Sequence, residues 1–140
     1  MKKNKQSGFT LIEIMVVIVI LGILATLVIQ SVGDRPDQAR EVKVRNDLGA
    51  LESAIKMYRL DNLNFPSANE GLSVLVNKPE GMGSWRGPYV ERLPEDPWGN
   101  DYRYRIPSQN GMKFDIYSLG ADNQEGGTGS DADIGNWLLK

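Results

Sequence analysis

Neither cysteine nor histidine occurs anywhere in the chain. Their absence removes disulfides, His- or Cys-built zinc sites, thiolate nucleophiles and His-based triads in one step. A strong excess of either charge is missing too. The formal net charge is −2, so no basic field invites nucleic acid as a partner. Ser–Lys and carboxylate chemistry remain open by composition, but no spacing suggests either. The lack of cysteine leaves the compartment open, since disulfides are permitted outside the cytosol and not required there. At 140 residues the chain suits one domain with a non-globular extension.

What is present begins at the amino terminus. Residues 1–8 are short and polar, with Lys2, Lys3 and Lys5. Phe9 to Ile29 then gives 21 residues with one charge, Glu13. At about 1.5 Å per residue such a helix spans roughly 30 Å, the hydrocarbon thickness of a bilayer. The preceding lysines place Met1 on the cytoplasmic side. A secretory signal peptide would carry a small-residue cleavage site after the apolar run, where Leu24-Ala25-Thr26 is a poor one. A plain signal anchor accounts for the lysines and the apolar run but not for Glu13. A carboxylate near the end of a membrane helix is either solvated at the interface or paired. The segment holds no basic residue, so a pairing partner would be a newly cut α-amino group, most usefully that of a neighbouring copy.

The segment Gly8-Phe9-Thr10-Leu11-Ile12-Glu13 resembles the leader junction of type IV pilins and pseudopilins. The resemblance implies that a membrane prepilin peptidase cuts after Gly8 and N-methylates Phe9, and that Glu13 guides assembly.

Gly33 to Asp37 interrupts the apolar run and allows a kink or a new helix start. A stripe follows at Val44, Leu48, Leu51, Ile55 and Tyr58. Its 4-3-4-3 spacing predicts an amphipathic helix packing a core, with partner-helix zippering as the alternative. Glu41/Arg45 and Glu52/Lys56 are favourable i,i+4 pairs on the polar side, and the helix should end between Asp61 and Pro66. Glu70 to Val76 reads as a short helix with Leu72, Leu75 and Val76 inward. Tyr102–Ile106 and Met112–Tyr117 alternate like strands, and Asn110-Gly111 between them signals a hairpin. The aromatic loop of Trp85, Tyr89 and Trp98 suits core packing, with sugar or peptide binding as the alternative.

The carboxy-terminal stretch is glycine-rich and acidic, with Asp122, Glu125, Asp131 and Asp133. By spacing alone it reads as a solvated loop or as an oxygen-ligand calcium site, and it does not match an EF-hand. Three blocks then narrow the resemblance: Tyr117 to Asp122, Ala132 to Trp137, and Asp96-Pro97-Trp98-Gly99-Asn100. They are similar to signatures of the major-pseudopilin branch that serves type II secretion. This implies calcium held by Leu119, Asp122, Ser130, Asp131 and Asp133, in place of the disulfide of many type IV pilins.

The expected organisation is a leader at 1–8, a transmembrane and assembly helix at 9–33, and an amphipathic helix at 34–62. A head at 63–140 would carry the calcium-type loop 119–134. The expected fold class is α+β: a long N-terminal helix on a small antiparallel sheet with a loop-rich carboxy terminus. The resemblance implies a non-enzymatic subunit that polymerises with itself into a periplasmic filament. Its implied partners are minor pseudopilins, an inner-membrane assembly platform, the prepilin peptidase and membrane lipid. A surface type IV pilin and a membrane-anchored enzyme or binding module are the rival readings.

Overall fold

The computed structural model describes residues 9–32 and 35–139, with backbone alone for 26–32 and 35. It divides into two compact units, residues 1–36 and 37–140. The leader 1–8, with Gly8, lies outside the described residues.

The first unit is helix α1, Leu11–Val32. Its start is a reciprocal cap. The Thr10 N–H and hydroxyl donate to Glu13 Oε2 at 2.7 and 3.0 Å, and the Glu13 N–H reaches back to Thr10 Oγ1 at 3.4 Å. Two of the orphan donors of a helix N-terminus are thereby met. From Leu11 to Leu24 the large apolar side chains are all exposed. Among the described residues no helix is long and apolar enough to cross a membrane; the span expected at 9–33 runs partly outside them.

Helix α2 spans Arg35–Asn62, and from Asp37 onward it belongs to the second unit. Pro36 sits in its first turn, where a missing N–H costs no hydrogen bond. The Val44, Leu48, Leu51, Ile55 and Tyr58 stripe is buried to 2% exposure or less. It forms one core with Leu72, Val74, Leu75, Tyr102, Phe114 and Ile116. Burial of each large apolar side chain contributes about 1.5–3 kcal/mol. On the polar face Arg45–Glu41 and Lys56–Glu52 pair at 2.7 and 2.9 Å.

Three short strands form an antiparallel sheet in the order β1 (Arg103–Arg105), β2 (Asp115–Ser118), β3 (Ile134–Gly135). Arg105 is opposite Asp115, and Tyr117 is opposite Gly135. The fold is therefore α+β, an amphipathic helix packed on a small three-stranded sheet.

Two local expectations are corrected. Asn110-Gly111 does not close a tight hairpin, because residues 106–114 all lie between the paired strands. The buried Asp115 carboxylate organises that loop instead: it accepts from Ser108 Oγ, from the Gln109 N–H at 2.9 Å and from Asn110 Nδ2 at 3.1 Å. Residues 71–75 form a 3-10 helix, with Leu72, Val74 and Leu75 buried. The tighter turn places Val74 inward where an α-helix would have placed Val76. Reciprocal Ser67–Glu70 bonds close the turn that precedes it.

Candidate functional site

The features that bear on function lie at two places, the start of α1 and the loop joining β2 to β3. At the first, Glu13 finds partners within its own turn, the Thr10 N–H and hydroxyl. A lone chain can therefore satisfy this carboxylate without an amine. The Thr10-x-x-Glu13 spacing was legible as a capping box, a signal that the functional reading of Glu13 passed over. Phe9 is 86% exposed, at the head of the apolar face.

The loop from Leu119 to Asp133 is built on left-handed backbone at Gly120, Asn123, Gly126, Gly127 and Gly129. At two of these the glycine is required by space as well as by φ. A Cβ on Gly120 would sit 2.7 Å from the Asp131 carbonyl carbon, and one on Gly127 would sit 2.3 Å from the Asp131 oxygen. The two arms of the loop thus meet backbone to backbone, and the Ala121 N–H donates to the Ser130 carbonyl at 2.9 Å to close them.

Of the sequence-derived ligands, Ser130 and Asp131 are brought against Gly120 and Gly127. Leu119 is buried at the end of β2. Asp122 is exposed and accepts from the Gln124 N–H at 3.1 Å. Asp133 Oδ2 accepts from the Gly126 N–H at 3.0 Å. Its other oxygen, Oδ1, is buried and has no hydrogen-bond partner. Among the described residues no three Asp, Glu, His or Cys side chains are grouped to hold a metal ion. A site here would therefore draw on carbonyl oxygens as well as carboxylates, a mixture that calcium accepts. An orphaned, buried carboxylate oxygen fits such a cation, since leaving it without a partner is costly.

The sheet beneath the loop is firmly held. Asp96 is 4% exposed. It accepts from the Trp98 and Asn100 N–H groups at 3.0 and 2.8 Å, and from Ser118 Oγ at 2.6 Å. Asn136, 1% exposed, accepts from the Ile116 N–H and donates to the Phe114 carbonyl at 3.1 and 3.2 Å. Residue-level reasoning missed these buried polar anchors. Asp96-Pro97-Trp98-Gly99 was the available signal, since an Asp side chain closing onto N–H groups two and four residues on is a turn device. Trp85, Tyr89 and Trp98 pack against the core, and the Trp85 indole N–H donates to the Val74 carbonyl at 2.7 Å.

In a cleft lined by Lys43, Asp47, Arg92, Leu93, Pro94, Glu95 and Asp96, Lys43 and Asp47 are already joined to each other. Lys43 Nζ donates to Asp47 at 2.6 Å and to the Glu95 carbonyl at 2.7 Å. The Tyr102 hydroxyl donates to Asp47 at 2.7 Å.

Comparison with known proteins gives a consistent result. The family described as "Type II secretion system (T2SS), protein G" matches residues 31–137. The prokaryotic N-terminal methylation motif matches residues 3–29. The type II secretion system core protein G of Pseudomonas aeruginosa is 54% identical, covering 98% of this chain and 99% of that protein. That of Vibrio cholerae is 50% identical over 99% of this chain and 97% of that protein. Among solved structures, the major pseudopilin from the type 2 secretion system of enterohaemorrhagic Escherichia coli is similar, with a TM-score of 0.68 and 42% identity. The match covers 78% of this chain and 92% of that one.

Proposed function

The chain belongs to the type II secretion system protein G family, and from that premise we infer that it is a structural subunit of the secretion pseudopilus. The observation that carries this is the agreement of a near full-length sequence match with a fold match to a solved major pseudopilin. The finer reading follows from it. The chain is made with a basic leader, cut after Gly8 by a prepilin peptidase and N-methylated on Phe9. α1 anchors it in the inner membrane, with the amino terminus cytoplasmic and the head periplasmic. Copies then polymerise through their apolar α1 faces, alongside minor pseudopilins and an inner-membrane assembly platform, and the filament's growth drives folded proteins across the outer membrane. The subunit works by assembly rather than by catalysis.

The exposed apolar side chains of α1 support the anchoring step, because a face of that kind needs lipid or protein to cover it. The local cap supports a two-stage role for Glu13. In the lone protomer the carboxylate rests on Thr10, and in the filament it exchanges that partner for a neighbour's terminal amine, fixing axial register. Calcium is the proposed cofactor of the head, held by oxygens of Leu119, Asp122, Ser130, Asp131 and Asp133. Its chemistry there is structural: it would tie the two arms of the loop and give Asp133 Oδ1 a partner.

The test of the reading is the mass of the mature chain. Made beside a prepilin peptidase and extracted from membranes, it should begin at N-methylated Phe9 and have 132 of the 140 residues. An intact Met1 under those conditions overturns it.

A further inference from the structure

We propose that Arg105 is a positioning residue for the calcium loop, latching Glu125 to the sheet so that Gly126 and Asp133 are placed before the cation arrives. The inference rests on the calcium reading of residues 119–134 and deepens it.

Arg105 closes β1 opposite Asp115. Its guanidinium lies over the Tyr117 ring, 5.1 Å from the centroid. Nη2 donates to the Tyr117 hydroxyl at 2.6 Å and to Glu125 Oε1 at 2.8 Å, while Nη1 donates to Gln109 Oε1. The platform under it is rigid. Tyr117 is 7% exposed and its ring packs on Trp137 at 5.7 Å. Trp137 in turn closes over Gly135 so tightly that a Cβ there would meet its ring at 2.1 Å. From this platform a chain of contacts leads outward. Arg105 holds Glu125, the next residue's N–H donates to Asp133 Oδ2 at 3.0 Å, and Asp133 carries the buried, unpartnered Oδ1.

The Arg105–Glu125 pair differs from the other ion pairs among the described residues. Those four join residues three or four apart within α2, where they support a helix that would form regardless. The Arg105–Glu125 pair links the sheet to the middle of a glycine-rich loop 20 residues away. Glu125 is 73% exposed, so the pair adds little to global stability. Its effect falls on loop order. A segment already held near its bound shape loses less freedom on binding, and affinity rises accordingly. The planar guanidinium suits the task because its fork of donors holds three acceptors in a fixed geometry, whereas an ammonium's donors rotate on a flexible stem.

The proposal has a sign that a bare charge effect would reverse. A cation near a calcium site repels the ion, so deleting it would tighten binding; deleting a latch loosens it. The experiment uses the full chain in detergent micelles with calcium alone as the probe. Titration calorimetry compares wild type with R105Q, R105K, E125Q and the R105Q/E125Q pair, and amide hydrogen exchange in chelator reads the loop directly. R105Q and E125Q should each raise the calcium Kd about 1.5- to fivefold, an exposed pair's range. The double variant should be no weaker than either single one, since both remove one interaction. R105K should also weaken binding, although it keeps the charge. In chelator, exchange at residues 123–127 should quicken in every variant. Unchanged or tighter binding in R105Q overturns the latch, as does additive weakening in the double variant or unchanged exchange in chelator. A wild-type chain that takes up no calcium overturns the calcium reading and this inference with it; a wild type that binds while R105Q binds equally well overturns the latch alone.

Discussion

Asp115 and Asp133 lie at the two ends of the sheet's connections and meet the cost of desolvating a carboxylate in different ways. Asp115, fully buried, accepts from Ser108, Gln109 and Asn110 and so fixes the loop between β1 and β2. Asp133 has a donor on one oxygen alone. The two therefore respond differently to amide replacement. Asp115→Asn should lower stability by about 1–3 kcal/mol, because an NH2 would then face donors. Asp133→Asn should leave the metal-free chain little changed while removing any response to calcium. Denaturation midpoints in chelator, with and without added calcium, check both. Residue chemistry also sets the alkaline limit. Burial, and next the Asp47 carboxylate to which it donates, pushes the Tyr102 phenol well above its ordinary 10.0. Burial foremost raises Tyr104 as well. In the unfolded chain these phenols titrate near 10. Their stabilising contribution is thus complete below that pH and is lost as pH rises above it, when the unfolded chain alone sheds the protons. The denaturation midpoint should hold between about pH 8 and 9 and fall by about pH 11, and Tyr102→Phe with Tyr104→Phe should flatten that fall.

At the scale of elements, the α2 stripe was legible because a single physical demand, burial of one face, repeats at the helix period. The structure buries all five of its residues, and Ala54 between them. The same argument ranks substitutions. Ile55→Ala removes a side chain with no exposure and should cost about 2–5 kcal/mol. Leu60→Ala, at 79% exposure on the opposite side, should stay within about 0.5 kcal/mol. Thermal or chemical melts of the two variants measure the contrast, and comparable losses would mean that Leu60 is covered in solution. The connections were less legible. Asn110-Gly111 carries a strong local turn signal, but the carboxylate of Asp115, a residue beyond it, overrides that signal by gathering Ser108, Gln109 and Asn110. Likewise the choice between α and 3-10 geometry at 71–75 depends on how Leu72, Val74 and Leu75 fit the core, which periodicity over five residues does not decide. The reciprocal bonds of Thr10 with Glu13, capping α1, and of Ser67 with Glu70, closing the turn before residues 71–75, were readable from spacing alone, since both follow the Ser/Thr-x-x-Glu pattern.

At the scale of the whole molecule, the head has a small core. Three strands of two to four residues and one helix face leave the β2–β3 loop with few apolar contacts of its own. Spacing left that loop undecided between a solvated tail and a metal site; family resemblance chose the metal, and geometry supplied the orphaned oxygen of Asp133. Spacing does not decide between the two because the ligand oxygens proposed at Leu119 and Ser130 include backbone carbonyls, which every residue possesses. A cation that joins the loop's two arms acts as a cross-link present in the folded state alone, so its binding free energy adds directly to stability. Extracellular calcium modules bind with Kd of about 10⁻⁴–10⁻³ M, and a hundredfold excess over Kd would raise stability by about 2.7 kcal/mol. The full chain in detergent should therefore melt at lower temperature in chelator and recover with calcium more than with magnesium, whose octahedral demand a loop of mixed carbonyls and carboxylates meets poorly. Asp122→Ala should bring the wild-type calcium-loaded melt down to the chelated one and abolish the response to added calcium. Gly127→Ala should do the same for a different reason: its φ of +82° and the Asp131 oxygen 2.3 Å from the new Cβ would force the arms apart. Identical melts of the wild-type chain in chelator and in millimolar calcium would leave the loop a backbone-built structure that needs no ion, and would return Asp133 Oδ1 to the unexplained.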